Sequence, residues 1–233
     1  MAFIGTATRS PSAFYLRNSS HRKRLLAWSL LLTVMLSFLL LSMALTPVPQ
    51  SYRRGDRGAF LYVRTATTED ASAIAALLAV SVSGLAPLHY TNDQVEAWRY
   101  CLPTAQQCRQ RLKQGRRTTW VACTIDESRS NGTKEERVIG MMDLVDQQPS
   151  SSAHHLDCAY VHPAFIRRRI ASMLYDSLER CAKSMPSCNR LYTEASEGAK
   201  PFFARNGFVT VERQDVVIGS VTLWNYRMEK DLI

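Results

Sequence analysis

Residues 155–195 read HLDCAYVHPAFIRRRIASMLYDSLERCAKSMPSCNRLYTEA. His155–Val161 alternates well enough for a strand. Pro163 ends it, because proline has no N–H to give a sheet ladder. Ile170, Leu174, Leu178 and Cys181 then recur at helical spacing and form one apolar stripe, which predicts a helix over 167–184. Arg190–Ala195 reads as a second strand. A strand–helix–strand unit running from Leu156 to Glu194 makes its two strands parallel, with a right-handed crossover.

Toward the C-terminus, Ala199–Arg205 reads as a short helix, and Asn206-Gly207 supplies a left-handed cap. Phe208–Ile218 and Val221–Met228 pair around Gly219-Ser220, a two-residue hairpin turn. Toward the N-terminus, Val138–Val145 and Thr118–Ile125 are strands flanking the polar loop Asp126–Glu136. A second, Ser-rich loop spans Gln147–Ala153. Asn92–Tyr100 and Ala105–Gln114 read as short helices. Phe60–Thr65 opens the domain as a strand, and Thr67-Thr68-Glu69-Asp70 resembles a capping box for the helix carrying Ile74, Leu77, Leu78 and Leu85. The order is β-α-α-α-β-β-β-α-β-α-β-β. It predicts an α+β domain over 60–233 with one mixed, mostly antiparallel sheet of about seven strands, and helices covering both faces.

The chain has 233 residues and a net charge of +9, placed unevenly. Residues 1–57 carry +7 and residues 58–233 only +2. The folded part therefore lacks the basic excess of a nucleic-acid-binding surface, and no nucleic-acid partner is expected. Residues 1–24 form a basic, Ser/Arg-rich leader. Leu25–Leu45, LLAWSLLLTVMLSFLLLSMAL, has 21 residues with no charge, Pro or Gly. As a helix it would be about 31 Å long, enough for a hydrocarbon core of ~30 Å. The expectation is a single-pass membrane anchor followed by a linker at 46–59. The alternative is a secretory or organelle-targeting segment cleaved near Ser42-Met43-Ala44, although the apolar run exceeds the ~7–15 residues of a signal core. Asn131-Gly132-Thr133 is a glycosylation sequon that matters only if the domain faces a lumen.

Several segments carry a family resemblance. They are Val63-Arg64-Thr65-Ala66 with Asp70-Ala71; Tyr90-Thr91 with Gln94 and Ala97-Trp98; Tyr160-Val161-His162-Pro163 with Arg168, Ile170 and Ala171; Thr193-Glu194-Ala195-Ser196 followed by Ala199-Lys200-Pro201-Phe202-Phe203 and Gly207-Phe208; and Arg227-Met228-Glu229-Lys230. In this order they resemble the GCN5-related N-acetyltransferase (GNAT) superfamily, in particular a bacterial-type subgroup of small acetyltransferases.

The resemblance implies acetyl-CoA as co-substrate and a primary amine as acceptor, on a small molecule, a protein lysine or an N-terminus. It implies that Ala159, Tyr160 and Val161 line the coenzyme beside a splayed strand. Arg167, Arg168, Arg169, Ile170 and Ala171 would hold its diphosphate at a helix start, where unpaired N–H groups and the dipole favour an anion. Phe203 would border the thioester, and Tyr90 and Trp98 would shape the acceptor pocket. Amine acylation needs a neutral nucleophile, so a base is expected; Glu194 is the first candidate and Asp143 the second.

The sequence also departs from the family loop, Gln/Arg-x-x-Gly-x-Gly/Ala. Ile166 stands at its first position and Arg169 at its central glycine. Gly198 replaces an Asn found before the final helix, and Phe203 lacks the phenol that some relatives carry. A module of the same fold with a weakened or lost coenzyme site is the alternative reading. The six cysteines contain no Cys-x-x-Cys pair, so no metal is expected. Cys101–Cys108 and Cys181–Cys188 are spaced so that either pair could bridge in an oxidising lumen. A homodimer stays open.

Overall fold

The computed structural model describes residues 50–54, 60–126, 135–146 and 152–232. The leader at 1–24, the apolar segment at 25–45 and the sequon at Asn131 lie outside the described residues. One helical run among the described residues, Thr68–Leu88, is long and apolar enough to cross a membrane by length and composition. It carries core residues instead: Ile74, Leu77, Leu78 and Val82 are all buried.

The strands are β1 (Gln50–Arg54), β2 (Phe60–Thr65), β3 (Arg117–Asp126), β4 (Glu135–Val145), β5 (Ala153–Val161), β6 (Arg190–Ala195), β7 (Val209–Ile218) and β8 (Val221–Asp231). They form one sheet in the order β1-β2-β3-β4-β5-β6-β8-β7. Every neighbouring pair is antiparallel except β5–β6. The helices are α1 (Ala71–Leu85), α2 (Asn92–Tyr100), α3 (Ala105–Leu112), α4 (Ile170–Ser184) and α5 (Lys200–Arg205). Seven strands match the sequence reading. The eighth, β1, falls inside the segment read as a linker. Its sequence, QSYRR, has no apolar alternation to announce a strand; it adds to the sheet edge against β2.

Helices cover both faces, as β3 shows residue by residue. Trp120 and Ala122 pack with Ile170, Leu174 and Leu178 of α4. Val121 and Cys123 point the other way, to Ile74 and Leu78 of α1 and Cys108 of α3. Leu174, Leu178 and Leu191 are fully buried, and each contributes about 1.5–3 kcal/mol by leaving water. Gly140 lets α4 approach β4, since a Cβ there would stand 2.8 Å from Ile170 Cγ2 and 3.1 Å from Leu174 Cδ1.

The helix expected from 167 begins at Ile170. Arg167 and Arg169 take left-handed backbone, with φ of 60° and 62°, so the first expected turn is a loop. Gly207 (φ 87°) and Gly219 (φ 60°) hold the two turns the sequence assigned to them. All six thiols are free, including those of the two bridge-compatible pairs.

Candidate active site

β5 and β6 pair only at Ala153↔Arg190, His154↔Leu191 and His155↔Tyr192. β5 runs on to Val161 and β6 to Ala195. Beyond His155 the two strands part, and a cleft of about 560 Å³ opens between them. Ala159, Tyr160 and Val161 line it from one side, and Thr193, Glu194 and Ala195 from the other. The His162 N–H donates toward β4, to the Ile139 carbonyl at 2.8 Å. Strand alternation therefore turns the N–H groups of Val161 and Ala159 to the opposite side, toward the parted strand. Ser81 Oγ on α1 donates to the Val161 carbonyl at 2.9 Å and anchors the end of β5.

The start of α4 closes one end. Ile166 and Ala171 line the cleft, and the arginine triplet loops out between them. Arg167, Arg168 and Arg169 are exposed, and among the described residues none of them makes an ion pair. Their side chains do not fill the cleft. Arg168 stands 5.3 Å over the Phe165 ring, which Arg137 approaches at 6.0 Å. The loop thus concentrates cations at a helix end that is already positive. Arg169 takes a left-handed backbone conformation, φ 62°, at about 1–2 kcal/mol for a residue with a Cβ.

Phe203 is buried against Phe208, 5.2 Å between ring centroids, and lines the cleft without a hydroxyl. The Gly198 departure has a steric reason. A Cβ at that position would stand 3.0 Å from His89 Cδ2, so the imidazole fills the space a side chain would need.

The two expected carboxylates are placed differently. Glu194 lines the cleft. It contacts His155 Nε2 and pairs with Arg227 at 3.0 Å. Against its partial burial, these neighbours, His155 first, hold Glu194 below the usual carboxylate range. Asp143 does not reach the cleft. It is 3% exposed, pairs with Arg117 and accepts the Cys158 N–H at 2.8 Å. Burial pushes Asp143 up to about 6 against the pull of Arg117, with Asp157 adding to the rise.

A third carboxylate was missed. Asp143 pairs in register with Cys158, and Leu144 with Leu156. Asp157 is thus the extra residue of a β-bulge, and it lines the cleft. Arg117 bridges the two aspartates, 2.7 Å from Asp157 Oδ2. Donor atoms of Asp143, Asp157 and Cys158 lie within 4.8 Å of one another, and the Arg117 guanidinium is the cation these carboxylates share. Asp157 had no motif around it, and a bulge has no signature in a single sequence.

Tyr90 and Trp98 are brought together as expected. Both line the cleft, their rings edge-on at 5.6 Å. Tyr90 OH donates to the Trp224 carbonyl at 3.0 Å and accepts the Glu197 N–H at 3.0 Å. Trp224 faces Tyr90 at 5.0 Å, and its Nε1–H donates to Glu197 at 2.9 Å. Trp224 and Glu197 were also missed; they read as hairpin and turn residues.

Solved acetyltransferase structures share this fold. One is a GCN5-related N-acetyltransferase from Rhodopseudomonas palustris, 27% identical, TM-score 0.59, covering 79% of this chain and 98% of its own. Another is the PaiA N-acetyltransferase of Thermoplasma acidophilum, 16% identical, TM-score 0.56, covering 74% of this chain and 99% of its own. Among curated proteins, the uncharacterized N-acetyltransferase YafP of Escherichia coli K12 is 27% identical over 172 residues, which span 72% of this chain and 94% of YafP. The family model described as "Acetyltransferase (GNAT) domain" matches residues 87–230, more than half of the chain. The chain belongs to the GNAT acetyltransferase family.

Proposed function

We propose that this chain transfers the acetyl group of acetyl-CoA directly to a primary amine bound in the cleft between β5 and β6. The observation that carries this reading is the parting of that strand pair beyond His155 and Tyr192, which leaves backbone N–H groups of β5 without a ladder partner on that side. The PaiA structure is described as a complex with coenzyme A, which supports the same ligand here. The residues fit it. Val161 and Ala159 offer N–H donors along the pantetheine arm, and the first-turn amides of α4 and Arg167, Arg168 and Arg169 meet the diphosphate and ribose phosphate. When bound, acetyl-CoA supplies the activated thioester.

The chain's own residues do the rest. The N–H of Val161 stabilises the developing oxyanion. Asp157, on the bulge and inside the cleft, takes the ammonium proton directly or through water; it pairs with Arg117, a cation shared with Asp143. Glu194, held by Arg227 and His155, serves as the polar floor. The alternative, a non-catalytic module, rests on Ile166, Arg169 and Gly198. It is weakened by Arg169, whose left-handed backbone is one that glycine adopts freely, so the arginine has not abolished that conformation. Thiol release from acetyl-CoA over pH 6–9 tests the assignment. Asp157→Asn is expected to lose about 10²–10⁴-fold in kcat, and Glu194→Gln less than tenfold. The reverse order would move the base to Glu194.

We further propose that residues 25–45 anchor the enzyme in a membrane. Carbonate extraction of the full chain from its own cells should leave it in the membrane pellet; release would favour cleavage.

A further inference from the structure

Resting on that reading, we propose that the acceptor is a monoamine on an apolar body, and that polyamines and lysines in basic peptides are poor acceptors. The cleft is walled in part by the apolar side chains of Leu85, Leu88, Trp98, Leu223 and Trp224. Among the described residues, the two carboxylates that line it, Asp157 and Glu194, and Glu197 beside it are already engaged by groups of the chain's own. Asp157 holds Arg117 at 2.7 Å, and Glu194 holds Arg227 at 3.0 Å together with His155. Glu197 is taken by Trp224 Nε1 and by Tyr226 OH at 2.7 Å.

One ring that lines the cleft, Trp224, and two rings beside it also carry cations of the chain. Arg213 covers Trp224 at 4.9 Å, Lys200 covers Tyr226 at 3.6 Å and Arg227 covers Tyr192 at 3.6 Å. An ammonium that reached Trp224 or Tyr226 would meet Arg213 or Lys200 there, and Asp215 beside them is already paired with Arg213 at 3.7 Å. An apolar body gains where a charged one loses, at about fourfold per methylene buried.

The test uses residues 47–233. The relatives matched over 94% and 98% of their own lengths show that this domain stands as a whole protein. Acetyl-CoA is offered with butylamine, hexylamine, phenethylamine, spermidine and a lysine peptide, and thiol release is followed. The expected result is a kcat/KM for phenethylamine at least about 100-fold above that for spermidine. It should rise about fourfold per methylene from butylamine to hexylamine, mostly through KM. Removing the rim cations, Lys200→Ala with Arg213→Ala, should narrow the phenethylamine-to-spermidine ratio at least fivefold. Spermidine or the peptide matching phenethylamine would overturn this inference and leave the acetyltransferase reading intact. Loss of acetyl-CoA binding, with no turnover of any amine, would overturn both.

Discussion

The two ends of the cleft treat charge in opposite ways. At the carboxylate end every charge is answered inside the protein: Arg117 lies between Asp143 and Asp157, and His155 and Arg227 hold Glu194. At the α4 end three adjacent arginines stand exposed over a positive helix terminus, two of them in left-handed backbone. The first arrangement is complete as it stands, and its role is to shape and orient. The second is unfavourable alone, both in Coulomb energy and in backbone strain. It becomes favourable when a polyanion arrives. On the proposed function, one end serves the fold and a proton, and the other a ligand.

The contrast breaks hardest at Arg117. Arg117→Leu leaves Asp143 buried without its cation and should cost about 3–5 kcal/mol of stability, read as a fall in thermal midpoint. Removing charge at the other end should do the reverse. Arg167, Arg168 and Arg169 all changed to Ser should leave the fold intact and weaken coenzyme A binding about 10–100-fold, as lost charge-assisted contacts do. The salt dependence of binding should flatten with it.

A smaller effect separates the aspartates. Because the folded Asp143 carboxyl is raised to about 6 from 3.8, the folded state binds its proton more tightly than the unfolded chain. That group therefore adds stability as pH falls from about 6 toward 4 and withdraws it as pH rises. Glu194 and Asp70, both lowered, keep their contribution down to the ordinary carboxylate range and lose it only as pH falls below that. Going from pH 7 to pH 5, the thermal midpoint of the wild type should therefore gain relative to that of Asp143→Asn, which lacks the Asp143 contribution. The smallest effect is Arg169→Gly. Relief of left-handed strain, about 1–2 kcal/mol, is offset by the extra freedom glycine has when unfolded, leaving a net gain of about 0.5–1 kcal/mol. Coenzyme A affinity should fall at the same time, so that stability and binding move in opposite directions.

The sequence showed the fold wherever periodicity and turn chemistry agreed. The Ile170–Leu174–Leu178 stripe, the alternation in β5 and the glycines at 207 and 219 all stand where they were read. The site was legible only where a motif carried it. Tyr90, Trp98, Ala171 and Glu194 line the cleft, and each belongs to a recognisable segment. Asp157 and Arg117 do not. They meet because a bulge re-aims one side chain and antiparallel pairing brings β3 and β5 to either side of β4. Neither event leaves a local trace. The loop at 167–169 was misjudged as helix for a related reason: arginine is a good helix former, and nothing local says that two of the three adopt positive φ.

The most direct test is calorimetric titration of residues 47–233 with coenzyme A at 50 and 500 mM salt. The account predicts binding below millimolar concentration that weakens several-fold at the higher salt, because phosphates are held by exposed arginines. No heat of binding at millimolar coenzyme A, or affinity indifferent to salt, would contradict it.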